Sequence, residues 1–173
     1  MRPPGRFNFS ADGLAPLARE RGHELALMAV DRDGHAERFS FAQAASHTAR
    51  AASALAALGV ERGDVVMTVV GSRAEWVWLM AGCWHMGAVA LPCNEMLRAG
   101  DLRQRLEIGR PRLVVSAARD LDEVRRAAES LAGEAPEPIE LERFGELMEE
   151  AVEPPPAATA IADPALVIFT SGT

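Results

Sequence analysis

Lysine is missing altogether: all 18 basic residues of the chain are arginine. This removes a Schiff-base lysine, a phosphate-loop lysine and a lysine electrophile from the sequence, so any lysine-dependent chemistry must be completed by another segment. Cysteine is scarce. Cys83 and Cys93 cannot make a disulfide framework and suit a reducing compartment. The opening MRPPGRFNFS carries positive charge but no apolar h-region, so it is not a secretory signal, and cytoplasm is the expected location. A basic excess is absent too: the net charge of −7 argues against a nucleic-acid partner, which needs a face able to neutralise phosphates. The familiar phosphate-binding fingerprints do not occur. There is no G-x-x-x-x-G-K-[ST], and the first candidate parallel strand is followed by GSRAEW rather than G-x-G-x-x-G, which sets aside P-loop nucleotidases and ordinary dinucleotide-binding dehydrogenases. Internal repeats and heptads are likewise missing.

The one apolar run of membrane length, WVWLMAGCWHMGAVALPC from Trp76 to Cys93, is interrupted by His85, Gly87 and Pro92. Its first part repeats apolar residues at helical spacing (Trp76, Leu79, Met80, Cys83), and AVALP reads as a short strand after a glycine stop. It is therefore a buried helix followed by a buried strand, not a membrane span, with Trp76 and Trp84 expected on the core stripe.

What is present is ordinary for a folded domain: 173 residues, 49% hydrophobic and 25% charged. A chain of this size can bury roughly 70% of its unfolded surface in one α/β domain. Helix starts recur: Ser40 with Gln43, Ser72 with Glu75, Asp101 with Gln104, and Asp120 with Glu123 each place a capping side chain three residues before an acid or amide. Gly59, Gly87, Gly109 and Gly133 follow the apolar-periodic runs as candidate left-handed C-caps. Between the helices lie VVMTVV (65–70), AVAL (88–91), RLVVS (112–116), PIEL (138–141) and ALVIF (165–169). This alternation over 65–151 predicts βαβ crossovers and a mostly parallel sheet flanked by helices. Ahead of it, LALMAV and HAERF joined by DRDG predict an antiparallel hairpin over 25–40. The Pro- and Ala-rich segment 152–163 reads as an irregular linker, and 164–173 as a strand running into a loop.

Ligands of an open parallel sheet bind at the carboxyl ends of its strands. The candidates there are Gly71 and Ser72, Cys93 to Glu95, Ser116 to Arg119, and Thr170 to Thr173. Thr170, Ser171 and Thr173 offer hydroxyls, and Gly172 lets successive amides face one anion, the nest geometry of phosphate loops. A metal site is not expected. Cys83 and His85, two apart on a helix, point about 200° away from each other, and His23, His35 and His47 show no partner pattern.

Read together, FNFSADGLAPLA, FSFAQAASHTARAASALAALGVERGDVV, SRAEWVWLMAGCWHMGAVALPCN, DLRQRLEIGRPRLVVS and DPALVIFTSGT are recognisable. The chain resembles the start of the adenylate-forming (AMP-binding) superfamily, and within it the medium-chain and aromatic acyl-CoA synthetase branch. The terminal TSGT matches the first four positions of the family motif T-S-G-T-T-G-x-P-K. The resemblance implies the N-terminal part of an adenylation large domain over 1–173, without the C-terminal domain and its catalytic lysine; the catalytic residues are expected beyond 173, and the chain alone is expected to be inactive. It implies a two-step ligase reaction in which a fatty or aromatic carboxylate attacks the α-phosphate of Mg2+-bound ATP, and coenzyme A then displaces AMP. By the same resemblance Thr170, Ser171, Gly172 and Thr173 bind the ATP phosphates, and Asn94 and Arg119 lie near the coenzyme A nucleotide. A sheet lacking its later strands leaves an edge and a face open, so self-association into a homo-oligomer is expected. Two alternatives stand beside this reading: an adenylation domain that loads a carrier protein, and a non-catalytic α/β binding or interaction module.

Overall fold

The computed structural model of the chain describes residues 5–31, 33–131, 135–150 and 154–170. Among these, β1 (Leu25–Val30) and β2 (Ala36–Ser40) form the expected antiparallel hairpin, with a register irregularity between Leu25 and Leu27. Four parallel strands follow, β3 (Val65–Val69), β4 (Val89–Pro92), β5 (Leu113–Ser116) and β6 (Ile139–Glu140), in the order β4-β3-β5-β6. Parallel neighbours need long crossovers, and helices supply them: α3 (Ala74–Met86), α4 (Ala99–Gly109) and α5 (Leu121–Glu129). The remaining α-helices among the described residues are α1 (Ala15–Glu20), α2 (Phe41–Ala57) and α6 (Leu141–Glu150), with a π-helical segment at Phe9–Leu14 and a 3-10 turn at Ala118–Asp120.

Alternation along the strands divides the core in two. Val66, Ala90, Leu113 and Val115 face a cluster containing Leu55, Trp78, Leu79 and Phe144, from α2, α3 and α6. Met67, Val69, Leu91 and Val114 face the other way, onto Leu102, Leu106, Val124 and Ala127 of α4 and α5. Two helical layers thus cover both sheet faces, as a parallel sheet requires. The α2–α3 contact is close because α2 is alanine-rich and α3 has Gly82 at the crossing, where an added Cβ would stand 2.9 Å from that of Ala51.

Of the expected helix starts, Ser40 with Gln43 forms a complete capping box. Its Gln43 N–H donates to Ser40 Oγ (3.3 Å), and the Ser40 N–H donates to Gln43 Oε1 (2.9 Å). The others differ. α3 begins at Ala74, after Ser72, because Gly71 (φ +72°) is still turning the chain. Asp101 is the third residue of α4, and Glu123 reaches across to accept from the Ala99 N–H (2.9 Å). At the far ends, Gly59 (φ +74°) and Gly87 (φ +69°) adopt the left-handed conformation as expected. Gly109 does not: it is the last residue of α4, and Arg110 (φ +42°) takes the left-handed position. Gly109 is needed for space, since a Cβ there would lie 2.7 Å from Leu91 Cδ2. Gly133 lies outside the described residues.

Of the segment read as a linker, residues 152 and 153 lie outside the described residues, and 154–163 is irregular but firmly held. Asn8, buried, accepts at Oδ1 from the Ser10 and Ala11 N–H groups (3.0 and 3.2 Å). Its Nδ2 donates to the carbonyls of Trp84 (3.0 Å), His85 (3.1 Å) and Ala157 (3.0 Å). The Phe7 N–H donates to Thr159 O (3.1 Å), the Thr159 hydroxyl donates to Phe7 O, and Arg6 bridges Ala160 in antiparallel fashion. Buried His85 donates from Nε2 to Pro154 O (2.9 Å), while its Nδ1 faces Ser10 Oγ (2.9 Å). The chain's first described residues and its last are thereby bound to the C-terminal end of α3.

Candidate functional site

The carboxyl ends of β3, β4 and β5 meet where the ladder runs on past the strands: the Cys93 N–H donates to Thr68 O (2.8 Å) and the Ala117 N–H to Val69 O (2.9 Å). These bonds hold the loops 93–95 and 117–119 side by side. At their meeting point the Arg119 guanidinium pairs with the Glu95 carboxylate through Nη2 and Oε2, and Arg119 Nε lies 3.4 Å from Asp120 Oδ2. Gly71 is the floor of this arrangement. A Cβ on it would collide with Glu95 Oε2 and come within 3.2 Å of Arg119 Nη2, so glycine serves here for space as well as for its positive φ. Beside the pair, a cavity of about 330 Å3 is lined by Gly71, Ser72, Trp76 and the 92–96 loop.

Asn94 is tied into its own turn, its Oδ1 accepting from the Met96 N–H (2.8 Å), so Nδ2 rather than Oδ1 is the atom it has to offer. Cys93 also lines this cavity, but its thiol packs with the α4–α5 core, where burial pushes it up to about 11, against a smaller opposing pull from Arg105. Burial likewise pushes Cys83 up to about 12. Both thiols are protonated at neutral pH and neither is a ready nucleophile.

The chain from Ala165 returns to this end of the sheet. The Ala90 N–H donates to Ala165 O (3.1 Å), the Val167 N–H donates to Ala90 O (2.9 Å), and Leu166 bridges Ala90 in parallel sense. The expected five-residue strand is thus a single parallel bridge on the free side of β4. Val167 and Phe169 pack on the α4–α5 side, with the Arg105 guanidinium 5.1 Å from the Phe169 ring centroid. Running parallel to β4, the segment carries exposed Thr170 towards the carboxyl ends. Ser171, Gly172 and Thr173 lie outside the described residues.

Sequence reasoning placed Asn94 and Arg119 at this end and missed what occupies Arg119. The pairing with Glu95 spans 24 residues, and the only sequence signal was glycine directly after β3. Of the histidines, His23 and His35 are exposed, as surface residues should be, and His47 is half-buried. His35 Nδ1 lies 3.2 Å from Asp31 Oδ2, and with Asp33 these exposed groups hold ligand-type atoms within 4.8 Å of one another at the hairpin turn. His47 stacks on Trp78 (5.0 Å between centroids, 16° between planes). Trp78 is the buried tryptophan, whereas Trp76 and Trp84 are half-buried, correcting the expected stripe.

A parallel α/β sheet with a glycine turn, Asn94 and a guanidinium at its carboxyl ends has the layout of a ligand-binding α/β domain. The particular family follows from comparison. The model of the family described as AMP-binding enzyme matches residues 17–173, and the chain belongs to that family. It is similar to the acyl-coenzyme A synthetase ACSM4, mitochondrial, of Rattus norvegicus (29% identical, covering 98% of this chain and 32% of that protein). It is also similar to the human acyl-coenzyme A synthetase ACSM5, mitochondrial (31% identical, with the same coverage of 98% and 32%). Among solved structures it superposes on the Mycobacterium tuberculosis fatty acyl CoA synthetase with a TM-score of 0.79 and 25% identity, over 95% of this chain and 32% of that one. The chain spans between about a quarter and a third of the length of the curated relatives it matches. Among the described residues no helix is long and apolar enough to cross a membrane.

Proposed function

We propose that this chain forms the first part of the nucleotide-binding domain of an AMP-forming carboxylate–CoA ligase. The observation that supports the reading is the parallel bridge at Leu166, after which the described chain runs to Thr170 in the direction of the strand ends where Gly71, Asn94 and Arg119 lie, within a chain that matches the AMP-binding family over residues 17–173. The relatives named above are acyl-CoA synthetases, which favours coenzyme A as acceptor and a fatty or aromatic acid as substrate. In this reading Thr170, Ser171, Gly172 and Thr173 hold the phosphates of ATP, which enters with Mg2+, while the carboxylate attacks the α-phosphate and pyrophosphate leaves. Asn94 and Arg119 then meet the nucleotide end of coenzyme A, whose thiol displaces AMP from the acyl-adenylate. The cytoplasm fits two free, protonated thiols.

The test is Thr173→Ala in the longer protein that carries this chain, read as pyrophosphate release at saturating carboxylate beside a melting curve. Losing one preorganised donor to developing phosphate charge lowers the rate by ~10²-fold, roughly 3 kcal/mol. The melting temperature stays unchanged. A variant keeping more than about half of the turnover removes Thr173 from the site.

A further inference from the structure

We infer that Glu95 is a built-in competitor for the anion subsite of Arg119: its carboxylate occupies the guanidinium and the hollow above Gly71, and a phosphate-bearing nucleotide must displace it to bind. This rests on the reading that Arg119 meets a nucleotide phosphate. Three observations support it independently of that reading. First, Glu95 Oε2 pairs with the guanidinium through Nη2, one of the two nitrogens a bidentate phosphate would use. Second, the carboxylate sits where residue 71 has no side chain, at a position held open by a glycine with φ +72°. An anion that replaced it would find the same backbone hollow. Third, the pair can exchange partners. The Arg119 side chain is 49% exposed, the two residues belong to different loops, and the adjoining cavity of about 330 Å3 gives a displaced carboxylate and an incoming ligand room.

The chemistry makes the competition one-for-one. Arg119 already has Asp120 at Nε, so its local surroundings carry two carboxylates against one guanidinium. A phosphate approaching this group meets repulsion from Glu95 until that side chain swings away. Removing the charge at position 95 therefore frees the guanidinium and lifts the repulsion together, whereas removing Arg119 abolishes the reason for either.

The experiment measures binding of adenosine 3′,5′-bisphosphate, a probe with the phosphate chemistry of the coenzyme A nucleotide, to the 173-residue chain by titration calorimetry at low salt. Wild type, Glu95→Gln, Arg119→Gln and the double variant are compared, with ATP as a parallel ligand. An ion pair screened through its half-exposed arginine, worth up to about 1 kcal/mol, sets the expected gain at about fivefold tighter binding for Glu95→Gln. The gain vanishes in the double variant and shrinks as salt rises. Equal or weaker binding by Glu95→Gln overturns the competition while an Arg119→Gln loss would leave the phosphate role of Arg119 standing. A gain that persists without Arg119 overturns the competition as well. Binding that Arg119→Gln leaves unchanged overturns both, as does absence of binding by Glu95→Gln at millimolar probe. Tightening for ATP but not for the bisphosphate reassigns the subsite to the ATP phosphates and overturns the coenzyme A placement alone.

Discussion

The two ends of β4 are built from opposite materials. At its amino end, Asn8, His85, Ala157 and Thr159 lock the first described residues and the 154–163 segment together through hydrogen bonds that are buried or part-buried. At its carboxyl end, Glu95, Arg119 and Asp120 meet through charges on loops that are partly open to water. Neutral buried bonds are costly to break because no water replaces them, while a half-exposed ion pair exchanges readily for another anion. The first end ties distant segments of the fold together, and under the competition inferred above the second trades partners.

The largest expected effect tests the first half of that contrast. Asn8→Ala deletes a buried amide whose two ends serve the N–H groups of Ser10 and Ala11 and the carbonyls of Trp84, His85 and Ala157. Leaving such groups unpaired lowers stability by roughly 3 kcal/mol. Urea unfolding followed by circular dichroism checks it, and a loss under about 1 kcal/mol would show that the amino end is no firmer than the site. Next comes Gly82→Ala, in the α2–α3 contact, where the new methyl would meet the Ala51 Cβ at 2.9 Å and the Ala51 and Ala52 backbone at 3.1 Å. Overpacking of this kind costs about 1–3 kcal/mol. The same substitution at an open position, Gly100→Ala, where a Cβ meets nothing within 4 Å, is the matched control and should lose no stability.

Much of this fold was legible because β-branched runs and helix periods alternate so regularly. β3, β4 and β5 fall within a residue or two of VVMTVV, AVAL and RLVVS. Legibility faded at the sheet margins, where PIEL gives a two-residue strand and ALVIF a single bridge, since each has a neighbour on one side only among the described residues. The tryptophans of α3 were misassigned because that helix is apolar on nearly every side, so periodicity could not select Trp78; its stacking on His47 and edge contact with Phe39 did. The site was half legible. Sheet direction pointed to Asn94, Arg119 and Thr170, but the Glu95–Arg119 pair joins loops in two different crossovers, and no local pattern records such a meeting. Asn8 meets Ala157 across 149 residues, equally hidden from local reading.

A smaller effect concerns His47, whose affinity for a proton is lowered, chiefly by burial against Trp78 and secondly by Arg50. The unfolded chain, with its histidine near the ordinary 6.5, then binds the proton more readily than the folded one. Stability is therefore full above that value and declines as pH falls below it, levelling off once the folded histidine is also charged. Comparing wild type with His47→Phe in urea melts between about pH 8 and about pH 5 isolates the contribution. The wild type should lose stability faster on acidification, and parallel curves would detach His47 from the pH dependence.

The smallest expected effect lies at the carboxyl end, and its smallness is the point. Arg119→Gln removes the guanidinium from Glu95 and Asp120, whose carboxylates are largely covered, but the Arg119 side chain itself is half exposed. A pair with one partner this open to water is screened and contributes about 0–1 kcal/mol, so the unfolding free energy should move by no more than about 1 kcal/mol. Nucleotide binding should nevertheless collapse, because the same guanidinium is the group a phosphate would seek. A stability loss approaching that of Asn8→Ala would mean that Arg119 is a structural strut binding the 95 and 119 loops, and the two ends of β4 would then differ in charge but not in purpose. Melting curves in urea, taken at low and at high salt, decide it: a pair that is only exchangeable gives the same small difference in both, whereas a strut shows a large difference that salt partly erases.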